Sequence, residues 1–163
     1  MRIVLADVGL CVACRGCEYA CAYEHNGSFE RNASLMRVSF YPAARVAVSL
    51  TCMHCQEAWC LEVCPAGAIS RDSDTGAVKI DASLCAGCKM CVLACPFGNI
   101  HFDHERGVAQ KCDLCSGDPA CVRSCTTGAL RFVEPEDVAV TRRETLDAHL
   151  LRVLATQRTG AAE

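Results

Sequence analysis

Cysteine dominates the chemistry that this 163-residue chain can perform, since its 16 cysteines fall into four groups of four. In the first and third groups, two residues separate each of the first three cysteines, and three residues precede the fourth. The second and fourth groups differ only in a longer middle gap. The groups are Cys11, Cys14, Cys17 and Cys21; Cys52, Cys55, Cys60 and Cys64; Cys85, Cys88, Cys91 and Cys95; and Cys112, Cys115, Cys121 and Cys125. Thiols in such groups form disulfides, bind zinc or hold iron–sulfur clusters.

The spacing favours cubane iron–sulfur clusters over the two alternatives. Three closely spaced cysteines on one loop can each reach one iron of a [4Fe–4S] cluster, and the remaining iron takes a ligand from elsewhere. Zinc sites more often draw two ligands from each of two CxxC loops. Disulfide frameworks are typical of secreted domains, whereas the first residues here show no signal-peptide pattern, so we expect a cytoplasmic location. We therefore predict four [4Fe–4S] clusters, with all 16 cysteines as ligands.

Composition excludes several other classes of function. The chain carries 16 basic and 19 acidic residues, a formal charge of −3, and no basic run or aromatic platform that predicts a nucleic-acid partner. Its apolar runs are too short to cross a bilayer directly. It has neither a glycine-rich dinucleotide fingerprint nor a P-loop. A cluster held by four thiolates also lacks an open position for substrate, so the sequence predicts a protein without a catalytic site.

Three of the four groups continue with one repeated pattern. A glycine stands three residues after the last cysteine, at Gly67, Gly98 and Gly128. Because glycine tolerates positive φ, we expect a sharp turn from each group into a strand. The polar stretch 25–33 is predicted to be a loop. The predicted strands are 2–6, 35–41 and 46–51, and the predicted hairpins lie within 68–80 and 99–111.

Outside the cysteines, a few residues carry separate predictions. A capping-box pattern followed by apolar residues on one face predicts a helix over 142–156. Arg15 and Lys89 lie inside cysteine loops, where positive charge should raise a cluster's reduction potential. His54 is predicted to tune the potential from its loop rather than to act as a ligand, since no group lacks a cysteine. His25 has no partner pattern and is predicted to be a surface residue.

The four groups, in this order over about 1–133, resemble the four-cluster, ferredoxin-like electron-transfer subunits of multisubunit oxidoreductases. Such subunits accompany dimethyl sulfoxide reductase, formate dehydrogenase, several hydrogenases, carbon monoxide dehydrogenase and tungsten aldehyde oxidoreductases. The resemblance implies an α+β fold built from two bacterial-type, two-cluster ferredoxin modules related by an approximate twofold axis. Short β-hairpins and short helices would form each module, and a C-terminal helix would follow them.

Carried onto this sequence, the resemblance divides the chain into two modules and a tail. The inner module is 46–105, the outer module combines 1–45 with 106–135, and 136–163 holds the C-terminal helix and tail. In two-cluster ferredoxins the last cysteine of each group serves the other cluster. The implied ligand sets are Cys11, Cys14, Cys17 and Cys125 (set 1); Cys52, Cys55, Cys60 and Cys95 (set 2); Cys85, Cys88, Cys91 and Cys64 (set 3); and Cys112, Cys115, Cys121 and Cys21 (set 4).

The resemblance also implies partners. Set 1 is expected to face a catalytic subunit that carries a molybdenum or tungsten pterin, with a nickel enzyme next. The region near 52–60 is expected to exchange electrons with a second redox partner, such as a flavin or NAD subunit, a ferredoxin or another copy of the complex. The alternative is a freestanding polyferredoxin or an iron–sulfur maturation protein, which would purify without a large cofactor-bearing subunit.

Overall fold

The computed structural model describes residues 1–140 together with residues 143, 146, 147 and 151. Over these residues the fold is α+β, with short helices between short strands. In chain order the elements are β1 (Ile3–Ala6), α1 (Gly16–Asn26), β2 (Arg37–Tyr41), β3 (Val46–Leu50), α2 (Trp59–Glu62), β4 (Ile69–Arg71), β5 (Val78–Ile80), α3 (Met90–Ala94), β6 (His101–Asp103), β7 (Val108–Gln110), α4 (Ala120–Arg123) and β8 (Leu130–Val133). No helix among them is long and apolar enough to cross a membrane.

The strands pair two by two, and each pair is antiparallel. β2 pairs with β3, β4 with β5, and β6 with β7, so the hairpins predicted within 68–80 and 99–111 are confirmed. Each turn after a cysteine group uses its glycine as predicted. Gly67, Gly98 and Gly128 have φ of 61°, 63° and 67°. Their N–H groups each donate 3.2 Å to the carbonyl of the preceding group's last cysteine.

The remaining pair joins segments that are far apart in the sequence. β1 pairs with β8, with Ile3 opposite Val133 and Ala6 opposite Leu130. The strand at 2–6 was predicted, but its partner was not, because nothing in a short alternating pattern identifies a partner at 130–133. This pairing brings the first cysteine group next to the fourth.

Two small apolar cores fill the interior of the described part of the chain. One is built around Val4, Met36 and Leu114 and includes cysteines of the first and fourth groups together with Cys52. The other is built around buried aliphatic residues such as Ile69 and includes cysteines of the second and third groups. The cysteine sites are therefore part of the cores themselves. The approximate twofold relation between two modules stays a prediction.

Two predicted boundaries need correction. The loop predicted over 25–33 begins later, because α1 continues to Asn26 and ends at Gly27, whose N–H donates 2.8 Å to the Tyr23 carbonyl. Gly27 adopts φ of 64°, the left-handed conformation that commonly ends a helix. The predicted C-terminal helix, 142–156, lies largely outside the described residues. Helical conformation is already present over 135–140, where a proline occupies the first position.

Candidate metal centre

All four cysteine loops share one backbone feature. The second residue after the first cysteine of each loop has positive φ: 58° at Ala13, 46° at His54, 67° at Gly87 and 63° at Leu114. In the second and fourth loops this turn directs the N–H of that residue toward the Sγ of the first cysteine, 3.4 Å away. The left-handed turn therefore directs a backbone N–H toward the sulfur of the first cysteine in each of these two loops. This is the arrangement that stabilises thiolates in a cluster site.

The last cysteines of three of the groups also accept backbone hydrogen bonds. Cys21 Sγ, Cys95 Sγ and Cys125 Sγ each accept from a main-chain N–H at 3.4 Å. Cys85 Sγ accepts a similar bond from Ala109 at 3.5 Å. All 16 cysteines are free of disulfides. Sulfurs presented in this way fit cluster ligation, because N–H···S bonds favour the thiolate over the thiol.

The second and third groups share two cavities. The first is lined by Cys52, Cys55, Cys60 and Cys95, so the last cysteine of the third group joins the loop of the second. The second cavity is lined by Cys64, Cys85, Cys88 and Cys91, which is the reciprocal exchange. The structure thus brings together the residues that sets 2 and 3 combine, and their ligation of common clusters stays a prediction.

The fourth group lies against the last cysteine of the first. Burial raises the pKa of Cys121 far above its usual range, and the neighbouring Cys112 and Cys21 raise it further. Burial likewise raises the pKa of Cys112 to about 11, and Cys52 and Cys21 are neighbours that add to the shift. Such thiols stay protonated without a metal, so binding a metal must displace their protons. Cys52 and Cys112 also belong to the same apolar core.

The members of set 1 come from the loop before α1, from the first turn of α1 and from the segment before β8. Burial raises the pKa of Cys17 to about 12, and Cys14 is among the neighbours that raise it. Gly16 lies where a Cβ atom would be 3.7 Å from the Ser124 carbonyl oxygen and 3.8 Å from Cys14 Sγ. Cys11 and Cys125 both pack against the same apolar core. The first loop therefore lies directly against the segment that carries Cys125.

His54 is fully buried at the wall of the first cavity. Its Nδ1 accepts a 3.0 Å hydrogen bond from the Val78 N–H, which assigns the ring proton to Nε2. Burial lowers the pKa of His54 to about 3, and the charges of Lys111 and Arg71 lower it further, so the ring is neutral. Within the described residues, Nε2 has no hydrogen-bond partner. A buried, unpaired donor at a cavity lined by four cysteines fits a site that receives an anionic cluster.

Lys111 is a site residue that the sequence analysis missed. Its side chain is buried and lines the same cavity as His54. Nζ donates to the Val78 carbonyl and, at 3.1 Å, to the Cys112 carbonyl. Its position immediately before Cys112 was the only sequence signal available, and adjacency to a cysteine does not reveal burial.

Arg71 is a second missed residue, and it holds the second cysteine loop in place. Its guanidinium donates to the carbonyls of Cys55 at 2.6 Å and Gln56 at 3.0 Å. It also donates to the Gly76 carbonyl at 3.0 Å, which ties the loop to the β4–β5 turn. A lone arginine in a short strand gave no indication of this role.

The predicted loop cations lie in different surroundings from Lys111. Arg15 Nη1 lies 3.4 Å from a carboxylate oxygen of the buried Glu18. Lys89 is exposed, and its Nζ lies 4.2 Å from the centroid of the Phe102 ring. The charge of Arg15 is therefore paired, and that of Lys89 is screened by water.

The prediction that His25 is a surface residue was wrong. His25 Nε2 lies 3.7 Å from Cys115 Sγ and 3.5 Å from Asp113 Oδ1. The hydrogen bond to Cys115 is the main cause that raises the pKa of His25 to about 10, followed by a hydrogen bond to Cys21. The helical geometry of α1 explains the error, because it carries His25 one turn beyond Cys21 on the same face.

Comparisons with known proteins agree with this chemistry. A family model described as 4Fe-4S dicluster domain matches residues 44–135. The chain is 38% identical over 102 residues to the electron transport protein HydN of Escherichia coli (strain K12), covering 60% of this chain and 57% of HydN. It is 40% identical over 105 residues to formate hydrogenlyase subunit 2 of the same strain, covering 64% of this chain and 50% of that subunit.

The chain thus spans about half the length of these curated relatives. Among solved structures, it is similar to a chain of the active site complex BamBC of benzoyl coenzyme A reductase in complex with benzoyl-CoA. That likeness has 22% identity, a TM-score of 0.48 and coverage of 91% of each chain. The family match confirms that the cofactors are [4Fe–4S] clusters, and 16 cysteines are the number that four clusters require.

Proposed function

Because the chain belongs to the 4Fe-4S dicluster domain family, we propose that it is the electron-transfer subunit of a multisubunit oxidoreductase, without a catalytic site of its own. When bound, [4Fe–4S] clusters supply centres that gain or lose single electrons. The observation that carries the proposal is the continuity of the cysteine sites, which follow one another through the described part of the chain. Contacts between neighbouring cysteine sites support each electron-transfer step in that series.

The proposed ligands are the four sets assigned above, with the last cysteine of each group exchanged between sites. The cavity shared by Cys52 and Cys95 supports the exchange in set 2. The cavity shared by Cys64 and Cys85 supports it in set 3. The closeness of Cys21 to the fourth group supports it in set 4.

The proposed order of the sites is 1, 4, 2 and 3. Helices α1 and α4 are in contact, which supports a step between sets 1 and 4. Cys112 and Cys52 belong to the same apolar core, which supports a step between sets 4 and 2. Helices α2 and α3 are in contact, which supports the last step to set 3. The cysteines in the middle of this series include four buried ones, namely Cys21, Cys52, Cys112 and Cys121.

In this order, the site that exchanges electrons with the second partner is no longer the region near 52–60. Cys52 is buried beside Cys112, in the interior of the series, so the loop of the third group is the better exit. The two exposed cysteines support this assignment, because Cys14 belongs to set 1 and Cys88 to set 3. Each end of the proposed series therefore has a sulfur near the surface.

Apolar side chains surround both proposed ends. Leu10 and Val12 flank Cys11, with 48% and 66% of their surfaces exposed. Met90 and Leu93 flank Cys91, with 47% and 81% exposed. Exposed apolar side chains around a redox site favour a partner that docks there and excludes water.

The proposed partner at set 1 is a catalytic subunit with a molybdenum or tungsten pterin, with a nickel enzyme next. The likeness to a protein named formate hydrogenlyase subunit 2 supports a catalytic partner of that general kind. The proposed partner at set 3 is a second redox protein, such as a flavin or NAD subunit, a ferredoxin or another copy of the complex. The proposed location is the cytoplasm.

A freestanding electron carrier is the second candidate function. The likeness to HydN, which is named an electron transport protein, favours it. Anaerobic purification of the tagged chain from its source separates the two. The subunit proposal expects a large cofactor-bearing protein to co-purify in fixed ratio, whereas the carrier expects the chain alone.

The relay itself is tested with Cys60→Ser in the assembled complex. We expect physiological electron flow to fall at least about tenfold, while the partner's half-reaction with an artificial dye is retained. Iron analysis should give about 16 atoms per wild-type chain, four for each cluster. Full physiological flow after loss of this central site would refute the relay, as would turnover of a substrate by the isolated chain.

A further inference from the structure

Two buried polar side chains meet at one peptide beside the first cavity. The N–H of Val78 donates to His54 Nδ1 at 3.0 Å, and the carbonyl of Val78 accepts from Lys111 Nζ. Both side chains are almost fully buried, with 0% of His54 and 5% of Lys111 exposed. A single strand residue therefore orients both of them.

Each of these two side chains has hydrogen-bonding or charge capacity that the described residues do not satisfy. His54 Nε2 carries a proton but has no acceptor there. None of the ion pairs among the described residues includes Lys111, and its Nζ donates to two backbone carbonyls. Burying a cation and an unpaired hydrogen-bond donor together costs free energy unless an anion lies next to both of them.

Both residues line the cavity that contains Cys52, Cys55, Cys60 and Cys95. We propose that His54 and Lys111 form an electropositive wall that makes this site the one of highest reduction potential in the chain. When a cluster is bound, His54 Nε2–H would donate a hydrogen bond to one of its sulfurs, and the ammonium of Lys111 would stabilise the charge of an added electron. One electron passes from a neighbouring site to this one, and no bond is made or broken.

The other three sites have weaker electrostatic support. The Arg15 cation near set 1 is paired with Glu18 at 3.4 Å. Lys89 near set 3 is exposed, so water screens it. His25 near set 4 already has an acidic partner, because its Nε2 lies 3.5 Å from Asp113 Oδ1. Only the wall of set 2, within the described residues, combines a buried cation without a carboxylate and a buried donor without an acceptor.

The inference deepens the proposed function and depends on the ligands proposed for set 2. A site of high potential in the interior of a series retains the electron between transfers. The chain would thus store one electron at set 2 while the outer sites exchange electrons with the partners. The wall is a positioning and tuning device, since neither residue reacts.

The test is a potentiometric titration of the complex, followed by electron paramagnetic resonance. We expect Lys111→Met to lower the highest potential by at least about 59 mV, the equivalent of a tenfold change for one electron. Lys79→Met is the matched control, because Lys79 lies on the same strand as Val78 but is paired with Asp72 at 2.6 Å. It should leave the highest potential unchanged. The signal is assigned to set 2 if Cys60→Ser changes it and Cys88→Ser does not.

The hydrogen bond is tested without any substitution at the buried histidine. In protein labelled with nitrogen-15 histidine, the highest-potential signal should show a nitrogen coupling and an exchangeable proton. His101→Gln is the control that should leave both unchanged. An unshifted potential in Lys111→Met, or assignment of the signal to another set, would overturn the inference. The proposed function fails separately, when no partner co-purifies or when Cys60→Ser leaves electron flow intact.

Discussion

Gly87 offers the sharpest test of how the cysteine loops are built. It lies between Cys85 and Cys88 with φ of 67°, and a Cβ atom there would lie 2.6 Å from the Gly107 carbonyl oxygen. Gly67 has nearly the same φ, 61°, but a Cβ atom there would meet nothing within 4 Å. Gly87 lies next to Cys88 and Gly67 lies three residues after Cys64, and both cysteines belong to set 3. Alanine at each position therefore separates backbone strain from steric overlap at one site.

The magnitudes follow from this geometry. Alanine in the left-handed conformation costs about 1–2 kcal/mol at either position. At Gly87, the overlap with a backbone oxygen adds about 1–3 kcal/mol, because the β6–β7 turn or the cysteine loop must move. The free-energy cost of the overlap corresponds to a factor of about 5–150 in the equilibrium constant for unfolding of the site. Gly87→Ala should therefore lose its cluster much faster than Gly67→Ala.

The assay is the decay of the cluster's visible absorbance after anaerobic transfer of each holo-protein into denaturant. Holo-proteins of this kind unfold irreversibly, so the rate of loss is the appropriate measure. Wild type, Gly67→Ala and Gly87→Ala should lose absorbance in increasing order of rate. Equal rates for the two variants would refute the close contact between the third cysteine loop and the turn at Gly107.

Three further predictions concern buried groups. Asn99→Ala leaves a buried backbone carbonyl without the 2.8 Å bond from Asn99 Nδ2, so the free energy of unfolding should fall by about 1–3 kcal/mol, measured as faster cluster loss. Glu18→Ala should destabilise by a similar amount because Glu18 Oε1 accepts a 3.0 Å bond from a backbone N–H, whereas Glu18→Gln should lose less by the same measure. Removal of iron with a chelator should abolish most helical circular dichroism, because the cysteine sites form part of the cores. Reconstitution with iron and sulfide should release protons from buried thiols such as Cys17. A chelated protein that kept its full dichroism would contradict the last prediction.

The cofactor and the local elements could be predicted from the sequence because their signals are local. The spacing of Cys85, Cys88 and Cys91 constrains one short loop and needs no knowledge of the rest of the chain. The turn at Gly98 is similarly predictable, since a positive φ restricts the choice of residue at that position.

The parts that were missed depend on contacts between distant segments. Lys111 is buried because β5 covers it, and a lysine next to a cysteine looks the same in sequence whether it is buried or exposed. His25 contacts Cys115 only because α1 packs beside the fourth group. The pairing of β1 with β8 is equally invisible, because two short strands carry too few residues to specify each other.

That β1–β8 pairing has a consequence for biosynthesis. The cysteines of sets 2 and 3 all lie between positions 52 and 95, and the residues that line the two cavities end at Lys111, so both cavities can close while the fourth cysteine group is still inside the ribosome. Sets 1 and 4 each combine an early cysteine with late ones, and their shared core needs β8. We therefore expect iron to enter the two groups of sites at different times, which pulse labelling of nascent chains with radioactive iron would reveal. During that interval the thiols of the first cysteine group have no cluster bound to them. The nascent chain is then most vulnerable to oxidation by oxygen and to binding of competing metals such as zinc.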